Sequence, residues 1–462
     1  MTFNSAAFLF VFFPAVFLLY RLCTGERSRT VFLCAAGLLF YAVGGIGQLP
    51  VLLLAALWNY VYGRIVLRAG RKKSVMAIFV TGNLALLCFY KYLGFVCSLL
   101  SLPAPAVTAP MGISFFTFHG ISYIVDIHRE KAEPERRFDL LLLYLAFFPR
   151  LLAGPIVSYR SAHDALASHP TDRVGTAEGM SRFVRGMAKK LLLSESAAAV
   201  VNAVWSLNGD ALGAPLAWVG ALGYCLQLYF DFSGYSDMAI GLGRMFGFVF
   251  PENFDHPYAS VTLSEFWRRW HMTLNRWFVD YLYIPLGGSR RSPARNLLNK
   301  MLVFLCTGIW HGAGWTFILW GLWHGLFVSL EGVFGSALRR WQEKRPLRLV
   351  LRLYTLLIVV TGFVMFRSAT VREGLFILGR MFSFRTAGAA GQLAAQSILV
   401  PGRVFALILG AILSFPVAPA IRARLGERAQ TVLSTAGTVL LLVLCILALS
   451  AGGFSPFIYQ QF

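Results

Sequence analysis

Residues 302–320 read LVFLCTGIWHGAGWTFILW, a stretch apolar enough to cross a lipid bilayer except for the imidazole of His311. An ionisable group at membrane depth is energetically costly, so it normally has a partner and a function. We therefore predict that the chain carries out chemistry within a membrane, with His311 at the centre of it.

The composition of the 462-residue chain indicates a protein that needs lipid as its solvent. Hydrophobic residues make up 57% of the sequence, and charged residues make up only 14%. Long apolar runs predict about a dozen membrane-spanning helices and no separate soluble domain. These runs include Ala7–Leu22, Thr30–Val43, Val51–Val66, Val75–Leu99, Leu216–Phe232, Leu349–Phe366, Val404–Val417 and Val432–Ser450. We predict an all-α polytopic membrane protein, with residues 1–462 as one integral membrane domain.

The charge distribution points to a membrane surface as the partner of the basic residues. The 42 Lys and Arg residues outnumber the 21 Asp and Glu residues, which gives a net charge of +21. Such an excess can indicate nucleic acid, but here the basic residues cluster at the ends of apolar runs, as in cytoplasmic loops of membrane proteins. We therefore predict contact with membrane lipid, no nucleic-acid partner, and both termini on the external side.

One segment conflicts with a simple count of spans. Counting Leu140–Val157 as a full span would place the cluster around Arg182 and Lys190 outside. The sequence FFPRLLAGP at residues 147–155 contains Pro and Gly, which interrupt a helix and free backbone groups that only a buried or water-lined site can satisfy. We predict a broken, re-entrant segment there and a cavity at membrane depth.

Two acidic residues, Asp231 and Asp237, lie in the apolar segment FDFSGYSDMAIGLG. Carboxylates at membrane depth either pair with another group or line a polar cavity. Both interpretations stay open from the sequence. The two residues fix helix packing through Ser233, Tyr235 or Ser236, or they line a substrate pathway.

The segment LSEFWRRWHMTLNRWFVDY at residues 263–281 has the period of an amphipathic helix. The cationic face carries Arg268, Arg269 and Arg276, which contact lipid headgroups or cradle an anionic donor. His271 lies at the edge of the apolar stripe, so it either snorkels to the interface or points into the bundle as a catalytic group. The apolar face comprises Leu263, Phe266, Trp267, Trp270, Leu274, Trp277, Phe278 and Tyr281.

A short phrase occurs twice, as GIWHG at residues 308–312 and GLWHG at residues 321–325. Each is a GxxxG pattern, which permits close approach of helices and brings a Trp–His pair, such as Trp310 and His311, against a neighbouring backbone. His311 and His324 are about 220° apart on a helix and cannot share one face of it. We predict that GAG at residues 312–314 breaks the helix. From spacing alone, each histidine is either a packed core residue or a functional group.

Several of these segments together resemble a known family. The quoted FDFSGYSDMAIGLGRMFGF, EFWRRWHMTL, DYLYIPLGG and GIWHGAGWTFILWGLWHG resemble the membrane-bound O-acyltransferase family, in its bacterial branch that acetylates polysaccharides such as alginate. Upstream, MGISFFTFHGISYIVDIHR and FVRGMAKKLLL extend the resemblance over most of the chain. It implies a ring of transmembrane helices around a tunnel from a cytoplasmic donor site to an external acceptor site, in the bacterial cytoplasmic (inner) membrane.

The resemblance also implies roles for individual residues. His311 is the catalytic residue and His271 a second active-site position within a catalytic segment at residues 225–335. The residues implied to support the tunnel are Asp231, Asp237, Trp310 and His324. Acetyl-CoA is the acyl donor, and no metal takes part. The phosphates of acetyl-CoA are then held by some of Arg268, Arg269, Arg276 and Arg290.

The C-terminal tail, residues 454–462, ends in FIYQQF. Its aromatic residues are either interfacial anchors on the external side or part of a motif similar to FxYxxF, in which the Tyr receives the acyl group. That resemblance makes Tyr459 a candidate acyl relay. A phenol with a pKa near 10 is a poor nucleophile at neutral pH, and a neutral imidazole that removes its proton would correct this.

An acetyl group on Tyr459 would pass to the serine of a periplasmic or extracellular SGNH-type acetyltransferase partner and then to a polysaccharide acceptor. Two other classes of protein remain open. One transfers an acyl or D-alanyl group from a carrier-protein phosphopantetheine to a cell-envelope polymer. The other is a lipid or polysaccharide transporter, which has a polar tunnel but does not consume acetyl-CoA.

Overall fold

Every regular element is helical in the residues that the computed structural model describes, namely 1–69, 71–105, 107–452 and 456–458. This confirms the all-α prediction. Several helices begin where the sequence supplies a cap. Thr262, Ser292 and Thr370 each accept a hydrogen bond from the backbone N–H three residues later, which satisfies a donor that the first turn leaves open.

The helices follow one another with short connections. The first eleven are α1 (Phe13–Leu22), α2 (Glu26–Gly45), α3 (Leu49–Ala69), α4 (Lys73–Leu99), α5 (Ile113–His128), α6 (Phe138–Ala146), α7 (Phe148–Leu151), α8 (Tyr159–Ala167), α9 (Arg173–Ala188), α10 (Glu195–Trp205) and α11 (Ala214–Met245). The others are α12 (Leu263–Arg269), α13 (Met272–Phe278), α14 (Pro293–His311), α15 (Trp315–Val333), α16 (Gly335–Glu343), α17 (Arg345–Arg367), α18 (Val371–Met381), α19 (Ala389–Ile398), α20 (Pro401–Leu413), α21 (Val417–Arg422) and α22 (Glu427–Ser450).

Shorter elements fill several of the connections. Wide π-helical turns occur at Phe8–Phe12, Lys189–Ser194 and Val279–Tyr283. Tight 3₁₀ turns occur at Ile46–Gln48, Gly209–Ala211, Pro257–Ala259 and Gly288–Arg290. The turn at Lys189–Ser194 carries a buried lysine, Lys190.

Five helical stretches in the described part of the chain are long and apolar enough to cross a membrane, or six if the bent pair α19 and α20 counts as one span. They are Glu26–Ala69, Lys73–Leu99, Trp315–Val333, Arg345–Arg367 and Glu427–Ser450. The first contains α2 and α3, which have 20 and 21 residues, so each alone is about 30 Å long. The number is lower than the predicted dozen because many apolar runs form shorter or broken helices.

The described residues pack into two compact units. The first unit comprises residues 1–184 and 235–252, and its core is a cluster of phenylalanines that includes Phe8, Phe40 and Phe148. The predicted break at residues 147–155 lies in this unit. There α6 ends at Ala146, and the four-residue helix α7 follows. The break is therefore confirmed, and its re-entrant course through a membrane remains a prediction.

The second unit comprises residues 185–234 and the described residues of 253–458. One prediction is confirmed here and another is wrong. α14 ends at His311 and α15 begins at Trp315, so the predicted break at GAG is confirmed. Residues 263–281 are not the single amphipathic helix that the period predicted. They divide into α12 and α13 at Trp270 and His271, although the predicted apolar face is largely buried.

Candidate active site

The hairpin of α14 and α15 carries two of the three histidines and is held together by facing glycines. A β-carbon on Gly308 would collide with the backbone oxygen of Phe317 and lie 3.3 Å from the α-carbon of Gly321. A β-carbon on Gly321 would collide in turn with the backbone oxygen of Phe304. The GxxxG pattern therefore brings the two helices into backbone contact, as the sequence predicted.

His311 ends α14 within an enclosure of aromatic rings. Its imidazole is buried and meets Trp320 of α15 edge-on, with 5.1 Å between ring centroids. Phe366 of α17 lies at the same distance, and the neighbouring Trp310 at 4.9 Å. The rings exclude water, and a water-poor site strengthens every electrostatic interaction of the imidazole with a bound group.

His324 occupies the inner end of the same enclosure. It is fully buried and packs edge-on against Trp267 of α12 and Trp320, at 5.1 Å and 5.2 Å. Neither of its ring nitrogens has a hydrogen-bond partner among the described residues. A β-carbon on Gly362 of α17 would lie 2.6 Å from its Nε2, so the backbone of α17 closes that side of the ring. This packing supports a structural part for His324.

His271 lies between α12 and α13 and has a left-handed backbone, with φ of 43°. Such a conformation is costly for a residue with a side chain and persists only where its surroundings impose it. The imidazole is 1% exposed, so it does not snorkel to an interface. Phe232 of α11 packs edge-on against it at 4.5 Å. The chain therefore turns at this point to bury the histidine.

Asn253 fixes the orientation of His271. Its side-chain oxygen accepts hydrogen bonds from the backbone N–H of Thr273 at 3.1 Å and from the Thr273 hydroxyl at 2.9 Å. The same oxygen lies 3.2 Å from Nδ1 of His271. Because the backbone N–H can only donate, that atom of Asn253 is the amide oxygen, and Nδ1 of His271 must be the donor. The neutral tautomer then has Nε2 as its acceptor nitrogen.

The protonation state of His271 agrees with this tautomer. Burial of the imidazole disfavours its charged form and lowers the pKa of His271 to about 3. The imidazole is therefore neutral over the physiological range, with Nε2 able to accept a proton. A neutral, buried imidazole whose other nitrogen is anchored has the form of a general base.

The structure brings the three histidines into one aromatic cluster. The indole of Trp310 neighbours both His271 and His311, with ring centroids 6.3 Å and 4.9 Å away. Trp320 connects His311 to His324 in the same way. Histidines that are up to 53 positions apart in the sequence thus share one buried site, in which Trp310 and Trp320 link their rings.

Glu331 anchors the start of α12. Its carboxylate accepts hydrogen bonds from the backbone N–H of Leu263 at 2.6 Å and of Ser264 at 2.8 Å, and from the Ser264 hydroxyl at 2.6 Å. These N–H groups belong to the first turn, which has no helical acceptor of its own and favours negative charge. α15 therefore carries both His324 and the anchor of the helix that leads to His271.

A cavity of about 530 Å³ adjoins α12 in the second unit. Three guanidinium groups line it, those of Arg268, Arg269 and Arg348, together with Val261, Glu265 and Gln342. Arg269 pairs with Glu265 at 2.9 Å, whereas neither Arg268 nor Arg348 has an ion pair with any residue that the structure describes. Of the four arginines proposed to hold the donor, Arg276 and Arg290 do not line this cavity.

The two acidic residues of α11 have separate basic partners. Asp231, which is 1% exposed, lies 2.7 Å from Nζ of Lys190, and Asp237 lies 2.9 Å from Arg182. The interpretation as paired, structural acids is thereby supported, with partners from another segment in addition to the nearby polar groups considered from the sequence. Lys190 is equally buried and also contacts Glu195 at 2.7 Å.

Tyr459 lies outside the described residues, as does most of the C-terminal tail. Of residues 454–462 the structure describes only 456–458. Among the described residues, no group of three His, Cys, Asp or Glu side chains is arranged to hold a metal ion.

Sequence reasoning missed Asn253, Glu331, Arg348 and Lys190. Asn253, Glu331 and Lys190 contact residues far away in the chain, and Arg348 lines a cavity with residues of another helix, so spacing gives no signal for any of them. The lysine had one available clue, since it is the basic residue that directly precedes the apolar run after the cluster, and the buried Asp231 needs a basic partner.

Comparison with known proteins supports the sequence resemblance. The sequence model of the membrane-bound O-acyltransferase family matches residues 111–370. A probable alginate O-acetylase of Pseudomonas putida is 37% identical over 494 aligned positions, which cover 100% of both chains. A peptidoglycan O-acetyltransferase of Helicobacter pylori is 32% identical over 82% of this chain and 80% of its own. A teichoic acid D-alanyltransferase of Bacillus subtilis is 27% identical over 55% of this chain and 65% of its own.

The family match spans more than half of the chain, and two of these relatives exceed 30% identity over most of both sequences. The apolar helices agree with a multi-pass membrane protein. The chain therefore belongs to the membrane-bound O-acyltransferase family and is a membrane acyltransferase.

Proposed function

We propose that the chain is an O-acetyltransferase that moves an acetyl group from cytoplasmic acetyl-CoA, through a tunnel across the bacterial inner membrane, for O-acetylation of an extracytoplasmic polysaccharide. The observation that carries the proposal is the pair of buried histidines beside Trp310, one of which, His271, is held neutral with Nε2 as an acceptor. A neutral imidazole can take a proton from a hydroxyl nucleophile directly, because its acceptor nitrogen is already unprotonated.

The names of the relatives support acetyl as the group and a polysaccharide as the acceptor. Alginate and peptidoglycan are the polymers in the names of the P. putida and H. pylori proteins. The choice between these and other polymers belongs to the partner. We propose a periplasmic or extracellular SGNH-type acetyltransferase as that partner, with both termini of the chain on the same external side.

The cavity beside α12 supports a phosphate-bearing donor. Guanidinium groups bind phosphate oxygens through paired, charge-assisted hydrogen bonds, and Arg268 and Arg348 are not committed to an acidic side chain of the described residues. We propose that these two residues, with Arg269, hold the phosphates of acetyl-CoA. Gln342 supplies a neutral donor at the same cavity. Arg276 and Arg290 have no support as donor ligands from this geometry.

The chemistry is an acyl transfer in two steps. His311, with His271, takes the proton of the Tyr459 hydroxyl while the phenol oxygen attacks the thioester carbonyl. The carbon–sulfur bond breaks, CoA leaves as the thiolate, and the proton held by the imidazole passes to it. The resulting aryl ester is activated, so the serine of the external partner attacks it, regenerates the phenol and carries the acetyl group to the polymer.

A transfer from a carrier-protein phosphopantetheine is the second candidate. The D-alanyltransferase relative favours it, since its matched region includes much of this chain, but at lower identity and over a shorter length than the acetylating relatives. The arginine-lined cavity would bind the phosphate of a phosphopantetheine as readily. Incubation of the purified enzyme with acetyl-CoA alone distinguishes the two donors, since only direct use of acetyl-CoA releases free CoA without a carrier protein.

The decisive experiment follows acetyl transfer from radiolabelled acetyl-CoA in vesicles that contain the purified enzyme. We expect His311→Ala to lower CoA release by about 10²-fold or more, because it removes the proposed general base. His163→Ala is the matched control, since His163 is a partly exposed histidine of the first unit. Normal CoA release by His311→Ala, at equal membrane content, would refute the role of His311.

The relay is tested separately by mass spectrometry of the C-terminal peptide. An acetyl group on Tyr459 is expected during turnover, and Tyr459→Phe should abolish both the label and the transfer to the acceptor. A turnover-competent sample with no label on Tyr459 would remove the relay and leave the donor chemistry in place.

A further inference from the structure

The second unit contains a buried cluster of charges that the acyl-transfer chemistry does not use. Lys190 lies between two carboxylates, with Nζ 2.7 Å from Oδ1 of Asp231 and 2.7 Å from Oε1 of Glu195. Lys190 and Asp231 are 2% and 1% exposed. Burial of paired charges is unfavourable unless further hydrogen bonds satisfy their remaining donor and acceptor atoms. The cluster therefore calls for additional polar contacts.

The C-terminal tail supplies those contacts. The backbone N–H of Ile458 donates to Oδ2 of Asp231 at 2.9 Å, and Nζ of Lys190 donates to the backbone oxygen of Pro456 at 3.3 Å. The ring of Phe457 is 1% exposed and lies beneath the Lys190 ammonium, 5.0 Å from its centroid. Asp231 thus binds a backbone donor of the tail, and Lys190 binds a backbone acceptor. Phe457, whose ring contacts Lys190, is the residue between these two backbone groups in the sequence.

The local backbone suits this use. Lys190 belongs to the π-helical turn Lys189–Ser194, and such widened turns occur frequently at functional sites. Asp231 precedes Phe232, whose ring packs against His271. Asp231 of the cluster and Phe232, which contacts the buried histidine, are therefore adjacent residues of α11.

We propose that Lys190, Asp231 and Glu195 form a receptor for the C-terminal tail, which binds the backbone of residues 456–458 and positions Tyr459, the next residue, for acyl transfer. The docking of the tail stands on the contacts above, and its catalytic purpose rests on the proposed function. Lys190, Asp231 and Glu195 are positioning residues in this scheme. Recognition through the backbone implies that the N–H of Ile458 matters more than its side chain.

Two variants at one position test this recognition. Ile458→Pro removes the N–H that Asp231 accepts, whereas Ile458→Ala keeps it and removes most of the side chain. The readout is digestion of the full-length enzyme, in detergent micelles, by carboxypeptidase Y, which also removes proline, followed by mass spectrometry of the intact chain. Hydrogen bonds to charged groups typically contribute about tenfold or more in an equilibrium. We therefore expect residues 456–462 of Ile458→Pro to be released about tenfold faster than those of the unmodified enzyme, and Ile458→Ala to remain close to it.

A second pair of variants tests the receptor side. Asp231→Asn should accelerate release of the tail. Asp237→Asn is the matched control on the same helix, and it should not accelerate release, because Asp237 pairs with Arg182 and not with the tail. Tail protection in Ile458→Pro equal to that of the unmodified enzyme would overturn the proposal, whether or not Asp231→Asn folds.

The two proposals fail in different ways. If Tyr459→Phe remains fully active while tail release follows the pattern above, the relay falls and the receptor stands. If Tyr459 is acetylated at the normal rate in Ile458→Pro and its tail is fully protected, the receptor falls and the relay stands.

Discussion

The side-chain oxygen of Asn253 accepts a hydrogen bond from Nδ1 of His271, across 3.2 Å, in a pocket where both residues are buried. The same oxygen caps the first turn of α13 through the N–H of Thr273. The amide of Asn253 therefore has two roles. It stabilises the left-handed turn at His271, and it sets the tautomer of the imidazole. Secondary contacts of this kind determine which nitrogen of a histidine can act as a base.

Asn253→Asp should change the pH dependence of CoA release. Burial holds the pKa of His271 at about 3, so the base is neutral throughout pH 5–8. A carboxylate beside Nδ1 stabilises the imidazolium and raises that pKa. A protonated imidazole cannot accept a proton, so activity is lost as pH falls through the raised pKa. We expect the acidic limb of kcat against pH to move to higher pH in Asn253→Asp.

Asn253→Ala is the companion variant for this measurement. It removes the acceptor without adding charge, so kcat should fall, by up to about 10²-fold, at every pH with no shift of the acidic limb. An acidic limb that stays in place in Asn253→Asp would mean that His271 does not act in the rate-limiting proton transfer.

Glu331→Gln should destabilise the enzyme and weaken donor binding together. The amide cannot accept at both of its terminal atoms, so at least one N–H of Leu263 or Ser264 loses its buried partner. Such a loss costs about 1–3 kcal/mol. We expect a lower thermal midpoint in detergent and a higher KM for the donor, since α12 carries Arg268. Glu343→Gln at the exposed end of α16 is the control and should change neither quantity.

The sequence predicted the elements whose signals are local. The break at Gly312–Gly314 and the break at Phe147 both follow from glycine or proline in apolar runs. The burial of the apolar face of residues 263–281 follows from its period. The turn at His271 is the instructive failure, because a helical projection assumes one straight helix and left this residue either at the interface or inside the bundle. No Gly or Pro marks the turn there, and tertiary contacts with Asn253 and Phe232 impose it.

The charged partners could not be predicted for a related reason. Glu331 binds α12 from 67 and 68 positions away, and Lys190 meets Asp231 across 41 positions. Hydrophobic period and short motifs carry no information about such pairings. The sequence indicates only that a buried charge needs a partner, and both Glu331 and Lys190 have one.

Gly308→Ala should separate α14 from α15. Its β-carbon would collide with the backbone oxygen of Phe317, and backbone cannot yield as a flexible side chain does. Overpacking of this kind costs about 1–3 kcal/mol, and His311 lies three residues further along the helix. We expect a lower thermal midpoint and a lower kcat. Gly379→Ala in α18 is the matched control. Nothing lies within 4 Å of its added carbon, and the change should stabilise the helix by up to about 1 kcal/mol.

The cavity beside α12 predicts which arginines bind the donor. Arg268→Gln and Arg348→Gln each remove a guanidinium from its lining, so each should raise the KM for acetyl-CoA with little change in kcat. A charge-assisted contact of this type contributes about 1.5–3 kcal/mol, which corresponds to an increase of about tenfold or more. Arg276→Gln and Arg290→Gln are matched controls with exposed side chains away from the lining. Equal increases in KM for all four variants would show that overall positive charge, and not this cavity, attracts the donor, and the effect would then disappear in high salt.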